Sequence, residues 1–158
     1  MAASSDYDFD DFEVGQRFTS RGVTLSESEI IDFALKYDPQ PFHIDKEAAA
    51  ASAYGGLIAS GFHTLSAGFR MIVQENVFTG TSMGSPGMDE VRWLKPVYPG
   101  DTISTEIEVA DKQPSRSRPD RGRVLMAYTI RNQHGEPVMT FTATQIIRRR
   151  AGEGAASA

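Results

Sequence analysis

The sequence predicts an α+β domain in which one long apolar helix lies across the concave face of an antiparallel sheet. Two observations carry this. Apolar residues recur at helical spacing through the first part of the chain, to about Asn76, and alternate with polar ones at a period of two thereafter. The alternating segments also follow one another closely, which favours antiparallel pairing.

The elements can be taken in order. Residues 1–8 and 151–158 are small and polar and read as loose tails, leaving one domain over residues 9–150. Gly15 to Val23 predicts a first short strand of weak alternation. Ser26-Glu27-Ser28-Glu29 has the form of a capping box, and the helix it opens carries Ile30, Phe33, Ala34 and Tyr37 on one side. Pro39 and Pro41 end that helix, because a residue before proline is pushed out of the helical region. A stiff, extended Asp38-Pro39-Gln40-Pro41-Phe42 segment is then expected to lead to His43. Asp45 to Ala51 predicts a short capped helix, broken at Gly55-Gly56. The long helix begins near Gly61, with Phe62, Leu65, Ser66, Phe69, Ile72 and Val73 on one face. Its small residues Gly61, Ala67 and Gly68 permit a close approach to whatever packs over it. After a glycine-rich loop from Gly80 to Gly87, strands are expected at Val91–Lys95, at Ile103–Val109, at Val124–Ile130 and at Val138–Ile147. Pro96 to Asp101 makes a turn, and Asn132 to Glu136 a hairpin.

Length and composition narrow the function. A chain of 158 residues, 40% hydrophobic and 23% charged, is an ordinary globular protein able to bury a core without staples. With no cysteine, it has no disulfide, thiolate metal site or cysteine nucleophile. A net charge of -5 argues against nucleic acid or an anionic membrane as the main partner. No apolar run is long enough to span a bilayer, and the first residues lack a secretory signal, so a cytoplasmic protein is expected. The histidines share no helical ligand spacing, so no metal is expected.

Asp38 and His43 are the candidate acid/base pair. A carboxylate and an imidazole can divide the taking and giving of protons once both are partly withdrawn from water. Gly61, at a helix start where the dipole is positive, offers a backbone N–H to an oxygen that gains negative charge. Taken alone, an Asp at a helix end and a His in a loop are more often local hydrogen-bonding and surface residues, so spacing leaves both readings open.

Residues 34–49, Ala-Leu-Lys-Tyr-Asp-Pro-Gln-Pro-Phe-His-Ile-Asp-Lys-Glu-Ala-Ala, resemble the active-site motif of MaoC-like dehydratases and (R)-specific enoyl-CoA hydratases. Gly56 to Phe62 resembles the second characteristic stretch of that family, and Pro96 to Asp101 the third, in family order. The resemblance covers about residues 10–149. It implies a hot-dog fold, a central helix wrapped by an antiparallel sheet, and a homodimer or higher oligomer. It also implies action on an acyl-CoA or acyl carrier protein thioester without a cofactor. Asp38 and His43 would hold and activate water and deliver a proton, and the Gly61 N–H would polarise the thioester carbonyl. Gln40 stands where the family has Asn, and Ser60 where many members have His; both are expected near the substrate.

Two rivals stand beside the hydratase. A hot-dog thioesterase commonly relies on a single carboxylate, which the Asp38–His43 pair disfavours, and a non-catalytic acyl-thioester binding subunit would not need the pair. His63 reads as a packed or interface histidine rather than a pocket residue, and His134 as exposed in its turn. Arg116, Arg118, Arg121 and Arg123 read first as a solvated loop, with a grip on coenzyme A phosphates as the alternative. Arg148 to Arg150 are expected to end the last strand in solvent.

Overall fold

The computed structural model describes residues 6–150. The expected tails at 1–5 and 151–158 lie outside the described residues. Six strands pair antiparallel in one sheet, in the order β1-β4-β5-β6-β3 with β2 also on β4. They are β1 (Arg17–Thr19), β2 (Val23–Thr24), β3 (Gly87–Trp93), β4 (Thr102–Pro114), β5 (Arg121–Arg131) and β6 (Pro137–Arg148). The helices α1 (Glu27–Tyr37), α2 (Pro41–Ile44), α3 (Lys46–Ala51) and α4 (Gly61–Gln74) all precede β3.

The strands follow their alternation. Ile103, Ile107 and Val109 of β4, Val124, Met126, Tyr128 and Ile130 of β5, and Phe141 and Ile147 of β6 turn inward and are buried. Tyr128 stacks on Phe141 with ring centroids 4.4 Å apart. Each such side chain contributes roughly 1.5–3 kcal/mol by leaving water. The expected first strand is broken in two. Between the pairs Thr19↔Glu106 and Val23↔Ile103, Ser20, Arg21 and Gly22 stand opposite Thr105 and Ser104. Ser20 bridges the irregularity, its N–H donating to the Thr105 carbonyl at 2.8 Å and its Oγ accepting from the Thr105 N–H at 2.9 Å.

Ser26 caps α1 by accepting from the Glu29 N–H at 3.2 Å, and among the described residues only this half of the capping box forms. The segment before His43 is not extended throughout. Gln40 is extended, as a residue before proline must be, but Pro41 opens a single helical turn through Ile44. Proline suits the first helical position, since its fixed φ is already helical and its missing N–H would have had no partner there.

The buried face of α4 also differs from expectation. Thr64, Gly68, Met71 and Ile72 are buried, whereas Phe62 is 56% exposed. Ile72 is buried as expected, but at Gly68 the sheet approaches too closely for any side chain. A Cβ on Gly68 would lie 2.2 Å from Ile130 Cδ1, and the Gly68 carbonyl accepts from Thr105 Oγ1 at 3.0 Å.

The chain ends of the domain meet. Tyr7, expected within a loose tail, donates its N–H to the Val77 carbonyl at 2.9 Å and packs its ring against Phe12 and Phe18. Asp8, expected in the same tail, is buried and pairs with Arg148 and Arg150 at 3.1 and 3.0 Å. Arg149 pairs with Asp10 at 2.7 Å, and Arg150 also reaches Asp11. These arginines therefore close a clasp rather than ending β6 in solvent, because the 3-10 turn Phe9–Asp11 sets its carboxylates against them. Among the described residues no helix is long and apolar enough to cross a membrane.

Candidate active site

The end of α1, the turn of α2 and the start of α4 converge on one open cleft of about 470 Å³. Asp38 is the C-cap of α1, its N–H donating to the Ala34 carbonyl at 2.9 Å, and Pro39 prevents another turn. That stop turns its carboxylate toward α4. Oδ2 accepts from Ser60 Oγ at 2.7 Å, and Oδ1 accepts from Gln40 Nε2 at 2.7 Å.

His43 lies on the α2 turn, 4% exposed, with Nε2 3.3 Å from Asp38 Oδ2. Its other ring nitrogen, Nδ1, is 2.7 Å from the Ile58 carbonyl. A carbonyl can only accept, so Nδ1 carries a hydrogen and Nε2 is the atom left to exchange a proton. Burial pushes the Asp38 carboxyl up. The bonds from Ser60 and Gln40, with the imidazole beside it, outweigh burial and hold it below the ordinary carboxylate value. Asp38 is thus an ion at neutral pH although its side chain is only 14% exposed.

Gly61 opens α4 on the same cleft. Ser60, its N-cap, accepts from the Phe62 N–H at Oγ and from the His63 and Thr64 N–H groups at its carbonyl. The Gly61 N–H finds no acceptor among the described residues. A free donor at a helix start is suited to an oxygen that gains negative charge. A Cβ at this position would meet the indole of Trp93 at 2.4 Å, so a larger residue would have to displace that ring.

Of the residues expected near substrate, Asp38, His43, Gln40 and Gly61 line the cleft. Ser60, also expected near the substrate, lies behind Asp38 and does not line the cleft. It is 0% exposed, and its hydroxyl is used between Asp38 and the α4 backbone. His63 lies apart from the cleft, stacked 4.7 Å from Phe33 in a groove that also holds Glu29 and Arg70. Burial lowers its pKa, against a smaller raising by Glu29. His134 is exposed in the β5–β6 hairpin. None of Arg116, Arg118, Arg121 and Arg123 lines the cleft. Their loop joins β4 to β5 where β5 meets Ile147, while Trp93 pairs with Met139 toward the other end of β6.

Sequence reasoning missed two participants. The Ile58 carbonyl that fixes the His43 tautomer has no side-chain signal. Trp93, which walls the cleft with Phe42, Tyr54 and Phe62, was legible only as the end of a strand.

The chain as a whole is similar to known proteins. A family model described as "MaoC like domain" matches residues 11–127. The crystal structure of a MaoC-like dehydratase from Rhodospirillum rubrum superposes with a TM-score of 0.83 at 39% identity, covering 91% of this chain and 98% of that one. The uncharacterized protein YdeM of Bacillus subtilis is 33% identical over 140 residues, 89% of this chain and 98% of its own length. The 3-hydroxybutyryl-CoA dehydratase of Methylorubrum extorquens is 31% identical over 115 residues, 70% of this chain and 68% of its own length. The helix-and-sheet arrangement is the expected hot-dog fold.

Proposed function

The chain belongs to the MaoC-like domain family, and from that premise we propose that it adds water to the double bond of an enoyl-CoA, giving an (R)-3-hydroxyacyl-CoA, or runs the reverse dehydration. One observation carries this reading. An ionised Asp38, the Nε2 of His43 and the unpaired Gly61 N–H face a single cleft. The resemblance of residues 34–49 to (R)-specific hydratases supports the stereochemistry. The name of the Methylorubrum extorquens relative supports a coenzyme A ester.

In this reading a water on the cleft side bonds to both the Asp38 carboxylate and His43 Nε2. Its oxygen bonds to the β-carbon as the Asp38 carboxylate takes one of its protons. The π pair of the double bond moves to form an enolate, whose charge falls on the thioester oxygen and is met by the Gly61 N–H. The Nε2–H of a protonated His43 then goes to the α-carbon, and the electron pair of the enolate forms the new C–H bond. A proton passing from Asp38 to Nε2, across the 3.3 Å between them, restores both groups. Gln40 and Ser60 each bond one Asp38 oxygen and fix the carboxylate, Ser60 while also capping α4.

A second copy of the chain is also part of this reading. Met88 is exposed on β3 and Leu94 just past it, on a strand at the end of the sheet order. An exposed apolar edge of this kind favours pairing.

The test follows the absorbance of the enoyl-thioester bond with crotonyl-CoA and longer esters, beside a free-thiol assay. Loss of absorbance without thiol release, with an (R) product on chiral analysis, is the expected result. Thiol release from saturated esters without hydration would make the protein a thioesterase, and binding with neither reaction a carrier subunit.

A further inference from the structure

We propose that the indole N–H of Trp93 is a second donor to the thioester oxygen, so that Gly61 and Trp93 together form a two-point oxyanion hole. This rests on the hydration reading above and adds a catalytic residue to it. Trp93 ends β3 and enters the same cleft as Asp38, His43 and Gly61. Its ring lies against the bare α-carbon of Gly61. The direction a Cβ would take there meets Nε1 at 2.4 Å, Cε2 at 2.5 Å and Cδ1 at 2.9 Å, so the nitrogen corner of the indole overhangs the helix start. Phe62 packs edge-on against the indole, with centroids 5.9 Å apart at 72°, and helps set its plane. The side chain lines the cleft and is 50% exposed.

Among the described residues neither the Gly61 N–H nor the indole N–H has an acceptor. An indole nitrogen can only donate. Two adjacent, unspent donors at a cleft wall suit an oxygen with two lone pairs, and such an oxygen appears when the π pair of an enoyl thioester moves onto the carbonyl. A donor already in place when that charge develops stabilises the transition state more than the ground state. Hydrophobic walling alone would not need the nitrogen, since phenylalanine would fill much of the same space.

Trp93 is the only tryptophan of the chain, which makes the test direct. In 15N-labelled wild-type protein the single indole N–H resonance should move downfield when butyryl-CoA, a saturated ester that cannot be hydrated, is added. Coenzyme A alone should move it much less. Trp93→Phe keeps an aromatic ring over Gly61 and removes only the donor. It should lower kcat for crotonyl-CoA by roughly 10- to 100-fold, at or below the usual effect of one oxyanion donor, with a smaller change in KM. An indole signal that butyryl-CoA leaves unmoved, or moves no more than coenzyme A does, overturns the proposal. So does a Trp93→Phe protein with wild-type kcat, and in both cases wild-type hydration leaves the hydratase reading standing. Failure of the wild-type protein to hydrate esters of any chain length overturns both.

Discussion

Among the places where carboxylates meet nitrogen-bearing side chains, the clasp and the cleft hold them differently. At the clasp, Asp8, Asp10 and Asp11 meet the guanidinium groups of Arg148, Arg149 and Arg150. At the cleft, Asp38 meets a hydroxyl, an amide and one imidazole. Both settings lower a carboxyl pKa: Asp11 through its bond to Arg150, and Asp38 through Ser60, Gln40 and His43 acting against burial. The difference lies in the partner. A guanidinium keeps its proton at any working pH, so the clasp is a fixed attachment. An imidazole nitrogen can either hold or lack a proton, which is what the acid/base role proposed for the cleft pair requires. Proximity of opposite charge does not identify a reactive site; the proposal for the cleft rests on a partner able to change its charge, beside donors with no acceptor among the described residues.

The largest expected effect breaks the cleft side of this contrast. Asp38→Asn or His43→Ala should lower kcat/KM for enoyl-CoA hydration by roughly 10²–10⁴, with the fold retained by circular dichroism. Near wild-type turnover in either variant would remove the acid/base role. Ser60→Ala sharpens the same side. It removes one bond to Asp38 and the side-chain cap of α4 together, so kcat should fall by about tenfold or more. Stability should fall by roughly 1 kcal/mol, as for loss of a helix cap. A stability loss with unchanged kcat would show that Ser60 serves the helix alone. The smallest effect lies at the clasp. Arg150→Ala should cost about 0.2–1 kcal/mol in urea denaturation, because Arg150 is half exposed, and should leave kcat unchanged. The sign with pH is fixed by the direction of the Asp11 shift. Its folded pKa lies below its unfolded value, so the contribution is full above the ordinary carboxylate range and is lost as pH falls through the lowered value. Wild type and variant should therefore converge in acid, and a gap that widened there would contradict the pairing.

Much of the fold was legible because period-two segments report their own inward faces; Ile103 to Val109 and Val124 to Ile130 bury the residues expected. The helices were harder for a physical reason. In α4 the largest apolar side chains suggested the buried face, but at Gly68 the sheet leaves no room for a side chain, and Phe62 is left outside. At Pro41 the rule that proline disfavours helix in its predecessor was extended to proline itself, which is a good first helical residue. Within the site, residue type and order were enough to bring Asp38, His43, Gln40 and Gly61 to one cleft. They were not enough to show which way a hydroxyl turns, so Ser60 was placed at the substrate instead of behind Asp38. The clasp escaped notice because its members lie far apart in sequence, and charge at a strand end gives no sign of a distant partner.

Gly68 carries a consequence for how such a chain can change over generations. The space its side chain would occupy belongs to Ile130, so the two positions share one volume. Substitutions there can be accepted jointly and are poorly tolerated singly: a methyl gained at 68 calls for one surrendered at 130. Because α4 is a rigid rod and Gly61 lies about two turns nearer its start, a methyl gained at 68 without that surrender would tilt or lift the rod and re-aim the Gly61 N–H. Variation deep in the interior could thus tune activity while every residue lining the cleft stays the same.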